Sequence, residues 1–267
     1  MDEIVKIHND LSNMRLKKMS AKELDLLMAI CVKVKNQHDN LVDIDYVDLQ
    51  KLSNYKQYNL SDLKSDLEKM NEHLVKNFVV SYTDDDGARV TESLFKQFRR
   101  YDDYLQVRIS DKLLYLLNDL TNNFTVFELQ EFTSLSSKYS KRLYKLLKQY
   151  KTTGIYFTYK EQFYMDMDIP DTYSNTNFNR QILRPAIAEC AKYFKDLTVE
   201  ANKKSGGKKI KDYTFTFAVA PTEEPTERAT TKPKSKSKAK PKSNKFNDFD
   251  NQQDYNITEL ESRLLSN

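Results

Sequence analysis

The sequence predicts an α+β, mainly helical fold in which one order of elements, helix–strand–helix–helix–strand–strand, occurs twice and is followed by a disordered C-terminal tail. Three observations carry this. Apolar residues recur three and four apart over the longer segments, the spacing of amphipathic helices. Shorter alternating runs rich in Tyr, Phe, Val and Thr follow each group of helices, the pattern of half-buried strands. Beyond residue 220 the composition turns to Pro, Thr, Ser and Lys, ending in TKPKSKSKAKPKSNK, which cannot bury a core.

The first half opens on Ser20 with Glu23 three residues later, a capping box. The helix that follows runs to about Lys35 with Leu24, Leu27, Met28, Cys31 and Val32 on one face. After the polar loop NQHDN, the apolar stretch 41–44 reads as a strand, Asp45 as the N-cap of a short helix, and 60–73 as a longer helix carrying Leu63, Leu67, Met70 and Leu74. Residues 78–82 alternate, Asp86-Gly87 offers a turn, and 88–98 return as a second strand. This is the arrangement of a winged helix, a helix-turn-helix with a β-hairpin wing. A strand over 104–109 and a helix over 111–118 lead onward.

The same order returns. Residues 125–135 read as a short helix, and 137–151, SKYSKRLYKLLKQYK, as an amphipathic one whose apolar side is Tyr139, Leu143, Leu146, Leu147 and Tyr150. Its remaining positions are filled by Lys138, Lys141, Arg142, Lys145, Lys148 and Lys151 with no acid among them, which predicts a basic solvent side and a polyanion to neutralise it. A strand (155–159), a short helix (160–167) stopped by Pro170, the turn DTYSNTN and a helix over 178–194 follow, and two strands flank the loop KKSGGKK. Two tandem winged helices are therefore expected, over 1–120 and 121–220, then a linker over 221–245 and a tail over 246–267 whose Ile257, Leu260 and Leu264 permit one short docking helix.

Charge is unevenly divided. Residues 1–130 carry 18 basic and 22 acidic side chains, net −4, whereas 131–220 carry 16 and 9, net +7. The second half is where a polyanion should bind. No apolar run approaches the roughly 18 residues of a membrane span, and MDEIVKIHND lacks a signal peptide's apolar core, so a cytoplasmic protein is expected. Cys31 and Cys190 fall on apolar stripes and read as reduced core thiols. His8, His38 and His73 are scattered, with no HxH or HExxH pair to hold a metal and no GxxxxGK[ST] phosphate loop, so neither an enzyme nor a cofactor is expected.

Within the second winged helix, residues 178–194 follow the turn and occupy the place of the helix that enters a major groove. Its first turns carry Asn177, Arg180, Gln181 and Arg184; Arg can fork onto guanine O6 and N7, and Asn or Gln onto adenine N6 and N7. Pro185 is anomalous there, since inside a helix it removes one hydrogen bond. Lys203, Lys204, Lys208 and Lys209 flank Gly206-Gly207 at the wing tip, and Lys138, Lys141 and Arg142 head the basic helix; these are the expected phosphate contacts. Each has a bland alternative: a lysine-rich face is commonly a solvated surface, and the arginines could be ordinary surface residues. On the first winged helix, Asp62, Asp66 and Glu68 point outward on the corresponding helix and disfavour phosphate there.

The run FTSLSSKYSKRLYKLLKQY, the helix FNRQILRPAIAECAKYF with its internal Leu-x-Pro-Ala-Ile, and the start KMSAKELDLLMAI resemble the Rep_3-type plasmid replication initiators, the RepB or RepA-like family, over roughly residues 1–220. That resemblance implies tandem winged helices that bind direct repeats (iterons) of duplex DNA at a plasmid origin as monomers, help melt an adjacent AT-rich segment, and recruit the host initiator and the replicative helicase or its loader. It also implies self-association, dimers repressing their own gene, with the first winged helix dimerising or adding a weaker DNA contact. A winged-helix repressor without an initiation role and a protein-interaction adaptor remain the alternatives.

Overall fold

The chain enters through β1 (Ile4–His8) and α1 (Asn9–Asn13) before the first winged helix begins. The computed structural model describes residues 3–219 apart from 14, 15, 17, 57, 58, 171 and 204–208, and no side chain at 12 or 13. The described residues belong to one unit, residues 1–222. The expected linker and tail, 221–267, lie outside the described residues, as do Lys204 and Lys208.

α2 (Ala21–Val34) starts at the expected capping box: Ser20 Oγ accepts the Glu23 N–H at 3.3 Å and the Glu23 carboxylate accepts the Ser20 N–H at 2.7 Å. β2 (Val42–Asp45) hands over to α3 (Tyr46–Leu52), where Asp45 accepts the N–H groups of Val47 and Asp48. α4 (Leu60–Asn77) is a turn longer than its sequence pattern and buries Leu63, Leu67, Met70 and Leu74 completely. Then come β3 (Val79–Thr83), β4 (Arg89–Ser93), β5 (Phe95–Arg100) and β6 (Tyr104–Ile109).

The strand expected over 88–98 is two strands. Leu94 is fully buried and the chain bends at it, so β4 stays with β3 in a hairpin while β5 leaves to pair with β6 in a sheet of order β2-β6-β5. The helix expected over 111–118 is a 3₁₀ turn, Asp111–Leu116. The segment expected as one helix over 125–135 divides into β7 (Phe124–Glu128) and α5 (Leu129–Ser134). Phe124-Thr-Val-Phe-Glu alternates half-buried and buried, and it is claimed by β1, antiparallel, from Ile4 opposite Glu128 to His8 opposite Phe124.

α6 (Lys138–Gln149) follows, then β8 (Ile155–Tyr159), α7 (Lys160–Asp166), α8 (Asn175–Phe178), a π-helical turn (Asn179–Leu183), α9 (Arg184–Cys190), β9 (Thr198–Lys203) and β10 (Ile210–Thr216). The second sheet has order β8-β10-β9, the counterpart of β2-β6-β5: in each, the strand after the first helix lies beside the last strand. The repeat is thus one of topology, with the β3–β4 hairpin added to the first copy. Gly154, between α6 and β8, has φ +68, and a Cβ there would sit 2.6 Å from the Phe217 carbonyl, so both backbone and space require glycine.

α6 is common to both cores. Its Tyr144 ring, fully buried, lies edge-on to Phe127 of β7 at 5.7 Å and also against Phe194 beyond α9 at 5.7 Å. Cys31 and Cys190 are buried free thiols as expected, and burial pushes the Cys31 thiol up to about 12, far from the reactive thiolate.

Candidate nucleic-acid interface

Helical backbone runs from Asn175 to Cys190 in the second winged helix, started by Ser174, whose Oγ accepts the Asn177 N–H at 3.2 Å. Phe178, Ile182, Ala186 and Cys190 form its buried stripe at intervals of four. Regular α-helix turns about 100° per residue, so the twelve steps from Phe178 to Cys190 would carry the stripe ~120° past three full turns. The π-helical turn absorbs one residue, about 100° of that drift, and returns all four side chains to one side. The Arg184 N–H donates to the Asn179 carbonyl five residues back, and the widened turn opens room for the ring of Pro185, which stands at the start of α9 and has no N–H to place. The proline anomaly is therefore resolved within the helix.

Two anchors hold this helix. Phe178 sits against the rings of Tyr164 (4.5 Å), Phe163 (6.1 Å) and Tyr213 (6.3 Å). At the other end the Glu189 carboxylate accepts the Ser136 N–H at 2.8 Å and its hydroxyl at 3.0 Å, and the Cys190 thiol meets the Ser140 carbonyl. With those faces turned inward, Asn177, Arg180, Gln181 and Arg184 are all exposed, as the sequence pattern requires. Asn179 is exposed beside them. Sequence reasoning passed over it because a regular helix gave no reason to place it there; the four-residue period of the stripe was the available signal.

The wing is β9 and β10, paired from Thr198–Thr216 to Lys203–Ile210 with a bulge near Ile210. Lys203 and Lys209 are exposed at its free end. Asn202 is tied to Asp212 at 2.7 Å, which stiffens the hairpin just before Lys203.

The middle of the basic face of α6 is turned inward, and this corrects the expectation for two residues. Lys141 is fully buried: its ammonium donates to Asp25 of α2 at 2.6 Å and to the Phe132 carbonyl at 2.8 Å. Arg142 is buried as well, its guanidinium donating to the Leu16 carbonyl at 2.7 Å and to Asp168 at 3.3 Å. Neither reaches a phosphate from there. Lys145 is buried, and burial with Arg142 nearby lowers it to about 8; Lys148 pairs with Glu131 at 2.7 Å, the same carboxylate that takes the Tyr144 hydroxyl. Lys138 is half-buried, 4.0 Å from Asp168. Burial raises the Asp25 carboxyl to about 7 against the pull of Lys141, and lowers Lys141 itself.

Comparison with known proteins decides what this architecture is. The family model "Initiator Replication protein, WH1" matches residues 4–148, and "Initiator Rep protein, WH2" matches 159–217. The chain belongs to the Rep3 initiator replication protein family. It is 32% identical over 222 residues to a "Probable replication protein rep" of Bifidobacterium longum (strain NCC 2705), covering 81% of this chain and 73% of that one. Among solved structures it is similar to the Pi initiator protein, crystallised in complex with iteron DNA, with TM-score 0.63, 19% identity, and coverage of 82% of this chain and 98% of that chain; this likeness is one of fold.

In this initiator the two modules present different third helices. On α4, Asp62 and Glu68 are exposed, Glu68 paired with Arg100 at 3.0 Å, while Asp66 is half-buried and accepts the Tyr55 hydroxyl at 2.7 Å. The α8–α9 helix of the initiator exposes two arginines, Arg180 and Arg184, for which no ion pair is found among the described residues. No described helix of the initiator is long and apolar enough to cross a membrane.

Proposed function

We propose that this initiator binds repeated duplex DNA (iterons) at a plasmid origin, with the second winged helix, within residues 121–220, supplying the sequence-specific contacts. Asn177, Arg180, Gln181 and Arg184 read base edges in the major groove; Lys138 and the wing lysines Lys203, Lys204, Lys208 and Lys209 hold phosphates. The observation that carries this reading is the joint exposure of the four reading residues on the helix that follows the turn, with Lys203 and Lys209 at the end of the adjoining hairpin. The iteron complex of the similarly folded Pi initiator supports the choice of ligand.

The first winged helix, within residues 1–120, mediates self-association and adds at most a weaker DNA contact, in keeping with the acids on α4. Bound to the repeats, the protein promotes opening of the origin and engages the host initiator and the replicative helicase or its loader; as a dimer it represses its own gene. The tail at 246–267 serves as a docking segment in the cytoplasm. On the rule of one helical turn per reading module, the repeats are about 20 base pairs long and lie close to the gene. A gel-shift at physiological salt tests the core of this: the repeat should bind at least about a thousandfold more tightly than scrambled DNA of the same length. Equal affinity for the two would overturn it, and a repeat that binds but cannot sustain an origin plasmid lacking its own initiator gene would leave a repressor.

A further inference from the structure

The polar seam beside α6 contains a group that DNA reading does not use. Asp168 lies in the turn after α7, so it travels with the reading helix of the second winged helix. Its carboxylate accepts the backbone N–H of Lys18 at 3.2 Å and the Arg142 guanidinium at 3.3 Å, with the Lys138 ammonium at 4.0 Å. Lys18 belongs to the segment entering α2, the first helix of the other module, and Arg142 reaches the same segment through the Leu16 carbonyl at 2.7 Å. Both residues that meet here have left-handed backbone, Lys18 at φ +64 and Asp168 at φ +54. Such conformations persist in non-glycine residues where surrounding contacts over-determine them.

We propose that Asp168 is a positioning residue that fixes the second winged helix against the first and thereby sets the spacing at which the two modules meet DNA. The reason is chemical. Arg142 is buried, its Nε atom finds no partner, and a guanidinium cannot shed its charge as a lysine or a carboxylic acid can. A buried arginine deprived of its carboxylate has one recourse, which is to reach water. The backbone over it, at Leu16 and Lys18, would have to give way, and the seam on this side of α6 would loosen. Asp168 thus holds shut a seam that Arg142 would otherwise open.

This rests on the reading above, that one repeat spans two helical turns. The test compares binding of the full chain to an intact repeat and to repeats with about 5 base pairs, half a helical turn, inserted between the two halves. Asp168→Gly and Asp168→Asn are the variants, since both residues tolerate left-handed backbone and keep the fold; thermal melting checks this. Wild type should lose about a hundredfold in affinity on insertion, Asp168→Asn less, and Asp168→Gly less again, by at least about threefold relative to wild type, with base preference in the half read by α8–α9 unchanged. An insertion penalty in Asp168→Gly equal to that of wild type overturns the proposal, as does a wild type that tolerates the insertion while still preferring the repeat. A wild type that does not distinguish repeat from scrambled DNA refutes the DNA reading itself.

Discussion

Replacing Lys141 by Met leaves the Asp25 carboxylate buried without its ammonium, in a site where it is 13% exposed and already raised to about 7. The carboxyl then escapes by keeping its proton to higher pH. In wild type it already stands at about 7 against an ordinary 3.8, so the cost of holding it protonated below neutrality is common to wild type and variant. The sign follows from an acid whose folded value the substitution raises further: the variant's extra loss is absent below about 7 and grows above it by up to about 1.4 kcal/mol per pH unit. Urea unfolding of Lys141→Met at about pH 6 and pH 8.5 should therefore show a loss about 2 kcal/mol greater at the higher pH. The double variant Asp25→Leu/Lys141→Met, apolar on both sides, should recover to within about 1.5 kcal/mol of wild type. A loss that is the same at both pH values would show that Asp25 and Lys141 do not depend on each other. The same variant decides the correction made for α6: its DNA affinity should keep the wild-type salt slope, whereas a slope smaller by about one unit would return Lys141 to the phosphates.

Arg184→Ala should relax preference at one or two base positions by about 1–3 kcal/mol each, read by competition with single-base variants of the repeat; uniform weakening on every sequence would confine Arg184 to the backbone. Lys203→Ala, at the wing, should lower the salt slope by about 0.9 with base preference intact. Ser20→Ala removes one half of the capping box and should cost about 1 kcal/mol in urea unfolding, and no measurable change would mean that Glu23 alone sustains the start of α2.

Local chemistry was legible in the sequence because it is written in neighbours. The Ser20–Glu23 box, the Asp45 cap, the strand at Ile155–Tyr159 and the order of elements in both modules all rest on residues a few positions apart. The misreadings share the opposite cause. α6 counted as basic on its solvent side because no acid stands within it, yet Lys141 finds Asp25 116 positions away and Arg142 finds Asp168 26 positions ahead. Long aliphatic stems let those cations be buried with their charge answered, and periodicity cannot distinguish that from exposure. β7 read as helix because the strand that claims it, β1, lies more than a hundred positions away. The exposure of Asn177, Arg180, Gln181 and Arg184 was legible because it depends on the adjacent stripe of Phe178 and Ile182, which the sequence displays.

The pairing of β1 with β7 has a consequence in time. Ile4 meets Glu128 and His8 meets Phe124, so β1 leaves the ribosome roughly 120 residues ahead of the strand that completes it. At about 5–20 residues per second that interval is on the order of ten seconds, during which the first winged helix can fold but β1 has nothing to bond to. Val5 and Ile7, fully buried in the finished protein, stay in water or in the care of a chaperone until Phe124–Glu128 emerges. Assembly of this initiator is then ordered by synthesis: the shared helix α6 and the α8–α9 helix are made only after β7, the strand that β1 awaits.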